Sequence, residues 1–225
     1  MGSHEEICML INKDNFNIEH FHNAKVVESK YPDLNWKGDG RLSNLNETMS
    51  YINPKGMFLE FGVYSGNTIN FVADAFPKST LYGFDSFEGL PEDWNLNDKK
   101  ILPAGHFNRD SLPKVRSNVK LIKGWFDQTI PSFLKENDFD YISFLHVDCD
   151  LYSSTKTIFD NLNSKIKEGT VITFDEFYPW RNYKWFRNWE EHEFKALKEW
   201  VTAYNRSFKV LHRSIHAQTS IMILS

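Results

Sequence analysis

MFLEFGVYSGNTINFVADA, running from Met57 to Ala75, passes from an apolar run through a glycine turn into a helical pattern. Met57 to Val63 is apolar on both faces, as a strand buried within a parallel sheet must be. Gly62 and Gly66 punctuate the turn, and Asn67 to Ala75 has helical spacing. The same alternation continues outward. Strands are expected at Thr80 to Asp85, Asn118 to Ile122, Tyr141 to Asp148 and Thr170 to Phe174. Helices are expected near Thr129 to Lys135, over Ser154 to Lys167 and over Glu190 to Ala203. Ser207 to Arg213 and Thr219 to Leu224 close the chain as strands. Only Ser214 to Gln218 joins them, too short for a parallel crossover, so they form an antiparallel hairpin. The expected fold is an α/β three-layer sandwich with a seven-stranded, mostly parallel sheet and an antiparallel C-terminal hairpin. Ser86 to Leu112, rich in Pro, Asp and Asn, reads as loop. Met1 to Asn46 is polar and mixed, with weak helical signals from Glu19 to Ser29. Residues 1–49 are therefore expected to form an extension packing on a domain that spans 50–225.

The chain has 225 residues, of which 41% are hydrophobic and 25% charged, enough for a buried core. Lys and Arg number 26 against 30 Asp and Glu, a net charge of −4 that argues against a general binder of nucleic acid or anionic membrane. No apolar run reaches the length of a spanning helix, and the first residues do not read as a signal peptide. Two cysteines, Cys8 and Cys149, fit reduced thiols better than a disulfide framework, and the expected location is cytoplasmic.

In an open parallel sheet, ligands bind beyond the carboxyl ends of the strands. Those ends carry Gly62, Asp85, Asp148 with Asp150, and Asp175 with Glu176. A lone acid there would be read as a helix cap. Four carboxylates on neighbouring strand ends instead repel one another unless a cation or proton lies between them. Gly62 and Gly66 allow positive φ and a close backbone approach to a ligand, although a tight turn needs glycine in any case. Their spacing is not the G-x-G-x-x-G of pyrophosphate binders. Asp85, at the end of the next strand, is placed to accept ribose hydroxyls. A nucleoside without a phosphate cradle points to S-adenosylmethionine rather than NAD. Trp125 and Phe126, after the third strand, offer a flat surface for an adenine ring or are ordinary core residues. Asp148 and Asp150 alternate to one side of a strand end beside Asp175 and Glu176. That oxygen-rich set suits a hard cation such as Mg²⁺. His146 lies within the strand and reads as packed and hydrogen-bonded.

Five blocks then stand in consistent order: FLEFGVYSGNTINF from Phe58, LYGFDSFEGLP from Leu81, KGWFDQTIP from Lys123, HVDCDLYSST from His146 and VITFDEF from Val171. Together they resemble the macrocin O-methyltransferase family, over roughly Gly40 to Ala203. The resemblance implies the Rossmann-like class I methyltransferase fold and a role in sugar O-methylation in natural product biosynthesis. It implies S-adenosylmethionine held by Glu60, Gly62, Tyr64, Ser65, Gly66, Asp85, Ser86, Trp125, Phe126 and Asp148. It also implies Mg²⁺, or another hard divalent cation, held by Asp148, Asp175 and Glu176. Relatives commonly carry two aspartates where this chain has Asp175-Glu176. Asp150 corresponds to the family's general base, with Asp148 beside it as the second catalytic acid. Arg41 matches an arginine common ahead of the fold in relatives, without a role attached.

The aromatic loop after Glu176 is expected to cover a sugar or glycoside acceptor, with Tyr178, Trp180, Arg181 and Tyr152 as acceptor contacts. An oligomer interface is the competing reading of the same aromatics. His192, His212 and His216 read as structural or exposed. A sugar hydroxyl holds its proton tightly, so a neighbouring cation and a carboxylate base suit its methylation. Two alternatives use the same fold. One is a catechol-type O-methyltransferase, and the other is a non-catalytic nucleoside-binding module. The expected partner is a small-molecule acceptor, with no nucleic acid or membrane, and a homo-oligomer is left open.

Overall fold

The computed structural model describes residues 10–28, 30, 41–179 and 186–225. Its centre is β7 (Ile142–Val147), whose six residues are all buried. That strand pairs in parallel with β2 (Met57–Phe61) and with β8 (Val171–Phe174). β2 in turn pairs in parallel with β3 (Leu81–Asp85), and β3 with β6 (Val119–Lys123). On the other side β10 (Thr219–Ile223) runs antiparallel to both β8 and β9 (Phe208–Ser214). The parallel strands deliver their carboxyl ends to one rim, which is why the acids named above meet.

Side chains alternate across the sheet. Leu59 and Phe61 join a core with Leu145, Val147, Ile158 and Leu197, while Phe58 joins Phe144, Ile69 and Val171 on the opposite face. α4 (Phe126–Glu136), α5 (Tyr152–Leu162) and α6 (Glu193–Tyr204) cover the first face. α2 (Arg41–Met49) and α3 (Asn67–Ala75) cover the second. Among the described residues, no helix is long and apolar enough to cross a membrane.

Three features correct the sequence reading. The sheet has eight strands rather than seven, because the two-residue β1 (Val26–Val27) adds in parallel to β9 after the short α1 (Ile18–His22). Two residues carry no readable alternation. The stretch expected to be loop contains an antiparallel pair, β4 (Trp94–Asn97) and β5 (Lys100–Leu102), with Trp94 and Leu96 buried and Asn95 exposed. Thirdly, Arg41 to Met49 is a helix, which buries Leu45 in the second-face core with Leu42 and Met49 packed beside it. It also docks through polar side chains: Asn44 Nδ2 donates to Ser220 Oγ at 3.1 Å, and Thr48 Oγ1 lies 2.8 Å from the same oxygen. His212 Nδ1 meets Asn44 Oδ1 at 3.1 Å. Three apolar residues among polar ones mark the helix only weakly in sequence, and these hydrogen bonds add to its docking.

Candidate active site

The turn after β2 is set by Asp85. Its Oδ2 accepts the N–H groups of Val63 and Tyr64, both at 2.8 Å, and its Oδ1 accepts that of Phe87 at 2.7 Å. A carboxylate has about four acceptor sites, so three backbone donors leave about one for a ligand hydroxyl. Gly62 sits at φ +94°, where a β-carbon would collide with the carbonyl of Asp148. Gly66, at φ +78°, caps α3. Tyr64 also adopts positive φ, at +44°. This end of the site is therefore main chain held in one shape.

At the neighbouring strand ends the material changes to charge. Arg41, the first residue of α2, points its guanidinium into the acids: Nη1 lies 3.5 Å from Asp148 Oδ2, and Nη2 contacts Asp175 Oδ2 and lies 3.7 Å from Glu176 Oε1. Glu193, from α6, is wholly buried and accepts the Glu176 N–H at 3.1 Å. Asp175 is also wholly buried, and its Oδ1 accepts from Gln218 Nε2 at 3.2 Å. Behind it His146 Nδ1 stands 2.9 Å from Glu60 Oε2, and Thr68 donates to Glu60 Oε1 at 2.9 Å.

Burial is the main reason these acids resist ionisation. It pushes Asp150, Glu176 and Glu193 well above the usual carboxylate range, and their negative neighbours add to the effect. Asp175 rises to about 7 for the same first reason, with Arg41 opposing. Burial opposes a charge on His146, but the hydrogen bond and charge of Glu60 outweigh it and raise the histidine. The Cys149 thiol is raised well above its normal value by burial and is held unreactive. Asp150 also carries a left-handed backbone, φ +65°, which is uncommon for a residue with a side chain.

One cavity of about 1100 Å³ joins the two ends. Gly62, Tyr64, Ser65, Asp85, Ser86, Trp125, Phe126, Asp148, Asp150 and Glu176 all line it. Glu60 and Asp175 lie beneath the wall instead, and Gly66 stands behind it as the cap of α3. Tyr152 faces away, its hydroxyl donating to Glu199 Oε2 at 2.6 Å. Tyr178 packs edge-on against Trp189 and hydrogen-bonds His22 Nδ1 at 3.0 Å. Trp180 and Arg181 fall outside the described residues, as does Cys8.

The metal trio expected from sequence divides in two. Ligand atoms of His146, Asp148 and Asp175 lie within 4.8 Å of one another, and so do those of Asp148, Asp150 and Glu176. Asp148 belongs to both groups, whereas Asp175 and Glu176 are in different ones. The donors fit a divalent cation: Asp148, Asp175 and Glu176 share one arginine, and the acids that burial keeps from ionising beside them are oxygens whose charge a cation would restore.

A protein-family model described as a methyltransferase domain matches residues 59–177. The chain belongs to this methyltransferase family. A curated relative from Streptomyces olivaceus, 8-demethyl-8-(2,3-dimethoxy-alpha-L-rhamnosyl)-tetracenomycin-C 4'-O-methyltransferase, is 27% identical over 160 residues. That alignment covers 61% of this chain and 60% of the relative's length. Among solved structures, the calicheamicin methyltransferase CalS11 superposes with a TM-score of 0.60 at 22% identity, covering 81% of this chain and 78% of that one. The O-methyltransferase NovP gives 0.57 at 19%, covering 82% and 80%. At such identity these two likenesses establish a shared fold.

Several wall residues of this family member carry no clear sequence signal. Trp94 and Leu96 of the β4–β5 hairpin line the cavity together with Phe186. Their alternation, Trp-Asn-Leu-Asn, was the available cue, but four residues are too few to stand out. His216, read as structural or exposed, also reaches the wall, as does Gln218. Both come from the β9–β10 connection, which is brought to the rim only by the pairing of β10 with β8.

Proposed function

We propose that this chain is an S-adenosylmethionine-dependent O-methyltransferase that methylates a hydroxyl of a sugar or glycoside with the help of Mg²⁺ or a similar hard cation. The observation that carries the reading is the single cavity shared by the Asp85-held turn and the acids Asp148, Asp150 and Glu176. The five sequence blocks that resemble macrocin O-methyltransferases support it. So does the name of the Streptomyces olivaceus relative, which is a methyltransferase for a rhamnosyl-bearing compound.

S-adenosylmethionine supplies an electrophilic methyl group when bound. The Val63–Ser65 backbone and the remaining acceptor capacity of Asp85 would hold its nucleoside, with Trp125 and Phe126 against the base. Asp148, with Asp175 or Glu176, would hold the cation, which lowers the pKa of an acceptor hydroxyl when bound. Burial and acidic neighbours raise the Asp150 carboxyl well above the usual range, so it would serve as a base, and a stronger one than a surface aspartate, once a bound cation offsets those neighbours and lets it ionise. It would take the hydroxyl proton as the acceptor oxygen gains the methyl group, whose bond to sulfur breaks and leaves its electron pair on the neutral thioether. The Trp94 and Phe186 side of the cavity gives the acceptor an apolar wall. The extension assigned to residues 1–49 would reach this rim through Arg41, the first residue of α2.

A panel of sugar nucleotides and glycosides incubated with labelled methyl donor, with and without Mg²⁺, tests the reading. Label should pass to at least one acceptor, excess EDTA should stop it, and Asp150→Asn should lower turnover by about a hundredfold or more. Transfer to a catechol alone, or no transfer at all, would refute the acceptor class. Undiminished transfer in EDTA would remove the cation.

A further inference from the structure

His146 is wholly buried directly behind the acid rim, and its two ring nitrogens have different surroundings. Nδ1 is engaged by Glu60 at 2.9 Å, and Glu60 is itself fixed by Thr68. Nε2 has no hydrogen-bond partner. It faces Asp175 Oδ1 at 4.0 Å, too far for a hydrogen bond. A purely structural ion pair in so closed a place would shorten to about 2.7–2.9 Å. Leaving a buried nitrogen unsatisfied costs about 1–3 kcal/mol. Two atoms bound to one ion at about 2.1 Å each, by contrast, stand about 3–4 Å apart. A histidine whose far nitrogen is gripped by a buried carboxylate is also the usual way proteins orient an imidazole toward a metal.

We propose that His146 joins Asp148 and Asp175 as a nitrogen ligand of the divalent cation, so that the ion sits on the sheet side of the rim and Asp150 stays clear to serve the acceptor. The inference rests on the cation in the proposed function and refines it. The alternative group, Asp148, Asp150 and Glu176, is all oxygen and would use up the base as a ligand. In the inner group Asp175 Oδ2 remains with Arg41, while Oδ1, which already accepts from Gln218, turns its second lone pair to the ion. An imidazole donor shifts preference from Mg²⁺ toward Mn²⁺ and Co²⁺. Glu60, beneath the cavity wall, becomes a positioning residue for the ligand.

The test loads the chelator-stripped full chain with one equivalent of Mn²⁺, without cofactor, and reads pulsed electron paramagnetic resonance. Modulation from a directly bound ¹⁴N is expected in the wild type. It should survive in His216→Gln, which removes an imidazole from the cavity wall, and vanish in His146→Gln. Mn²⁺ affinity should fall about 10–100-fold in His146→Gln and about tenfold in Glu60→Gln. Bound Mn²⁺ without nitrogen coupling would overturn the inference and leave the cation reading standing. Absence of Mn²⁺ binding would remove both. Loss of the nitrogen signal in His216→Gln would assign the ligand elsewhere. The wild-type spectrum decides even where a His146 variant fails to fold.

Discussion

At the Gly62 end of the cavity the wall is main chain, whereas at the Asp148 end it is ionisable side chains drawn from four separate segments. Asp85 ties down three backbone N–H groups and leaves the turn a single conformation. Across the cavity, Asp148, Asp175 and Glu176 are held by a guanidinium that arrives from outside the β–α alternation. The first end is shaped by sterics and responds to volume. The second is shaped by charge balance and should respond to ions.

Gly62→Ala strikes the main-chain end hardest. Its β-carbon meets the Asp148 carbonyl at positive φ, and a loss of about 4 kcal/mol or more is expected, read from the urea midpoint. Near-normal stability there would mean the turn is soft and the contrast false. Arg41→Gln strikes the charged end. Removing the partner of buried carboxylates should cost about 3–4 kcal/mol in chelator. Mg²⁺ should then raise the melting temperature of the variant more than that of the wild type. Equal shifts would show that arginine and cation do not serve the same carboxylates.

α2 connects that arginine to a polar seam containing His212, and acid sharpens the comparison there. Burial lowers the His212 pKa from 6.5 to about 4. Below pH 6.5 the unfolded chain takes up a proton that the folded one refuses, so stability is full above that pH. Relative to His212→Gln, the wild type should lose about 3 kcal/mol as pH falls from 6.5 to 4, since the raised acids of the rim act in the opposite sense but equally in both proteins. Denaturation of both proteins across that window checks it, and a constant difference between them would contradict the buried neutral ring. The smallest effect belongs to Gly169→Ala, at φ +85° with open space around it. Strain alone should cost about 1 kcal/mol. A loss matching that of Gly62→Ala would show that strain, and not collision, governs both.

The same contrast explains how much was legible in sequence. β2, β3, β7 and β8 are mostly apolar on both faces, and β6, at the sheet edge, keeps Val119, Leu121 and Ile122 alongside exposed lysines, so their alternation with helices could be read directly, and with it the rim carrying Asp85, Asp148, Asp150, Asp175 and Glu176. α2 docks by a short apolar row, Leu42, Leu45 and Met49, and by hydrogen bonds from Asn44 and Thr48, and the polar half of that contact has no sequence pattern to read. Arg41 therefore stood in the sequence as an arginine without a destination. The β4–β5 hairpin was hidden because Trp94 and Leu96 make only one alternation. Tyr152 and Tyr178 were assigned to the acceptor from their positions near the acids. Helix α5 turns the first outward to Glu199, and the aromatic packing of Trp189 and His22 holds the second.

The most direct test of a nucleoside-binding end separable from a cation-binding end is calorimetric titration of S-adenosylmethionine into chelator-treated wild type and Asp85→Asn. The account predicts saturable binding to the wild type, with Kd within about threefold of its value in Mg²⁺, and at least about tenfold weaker binding to the variant. Absence of binding without the cation, or equal affinity in the two proteins, would contradict it.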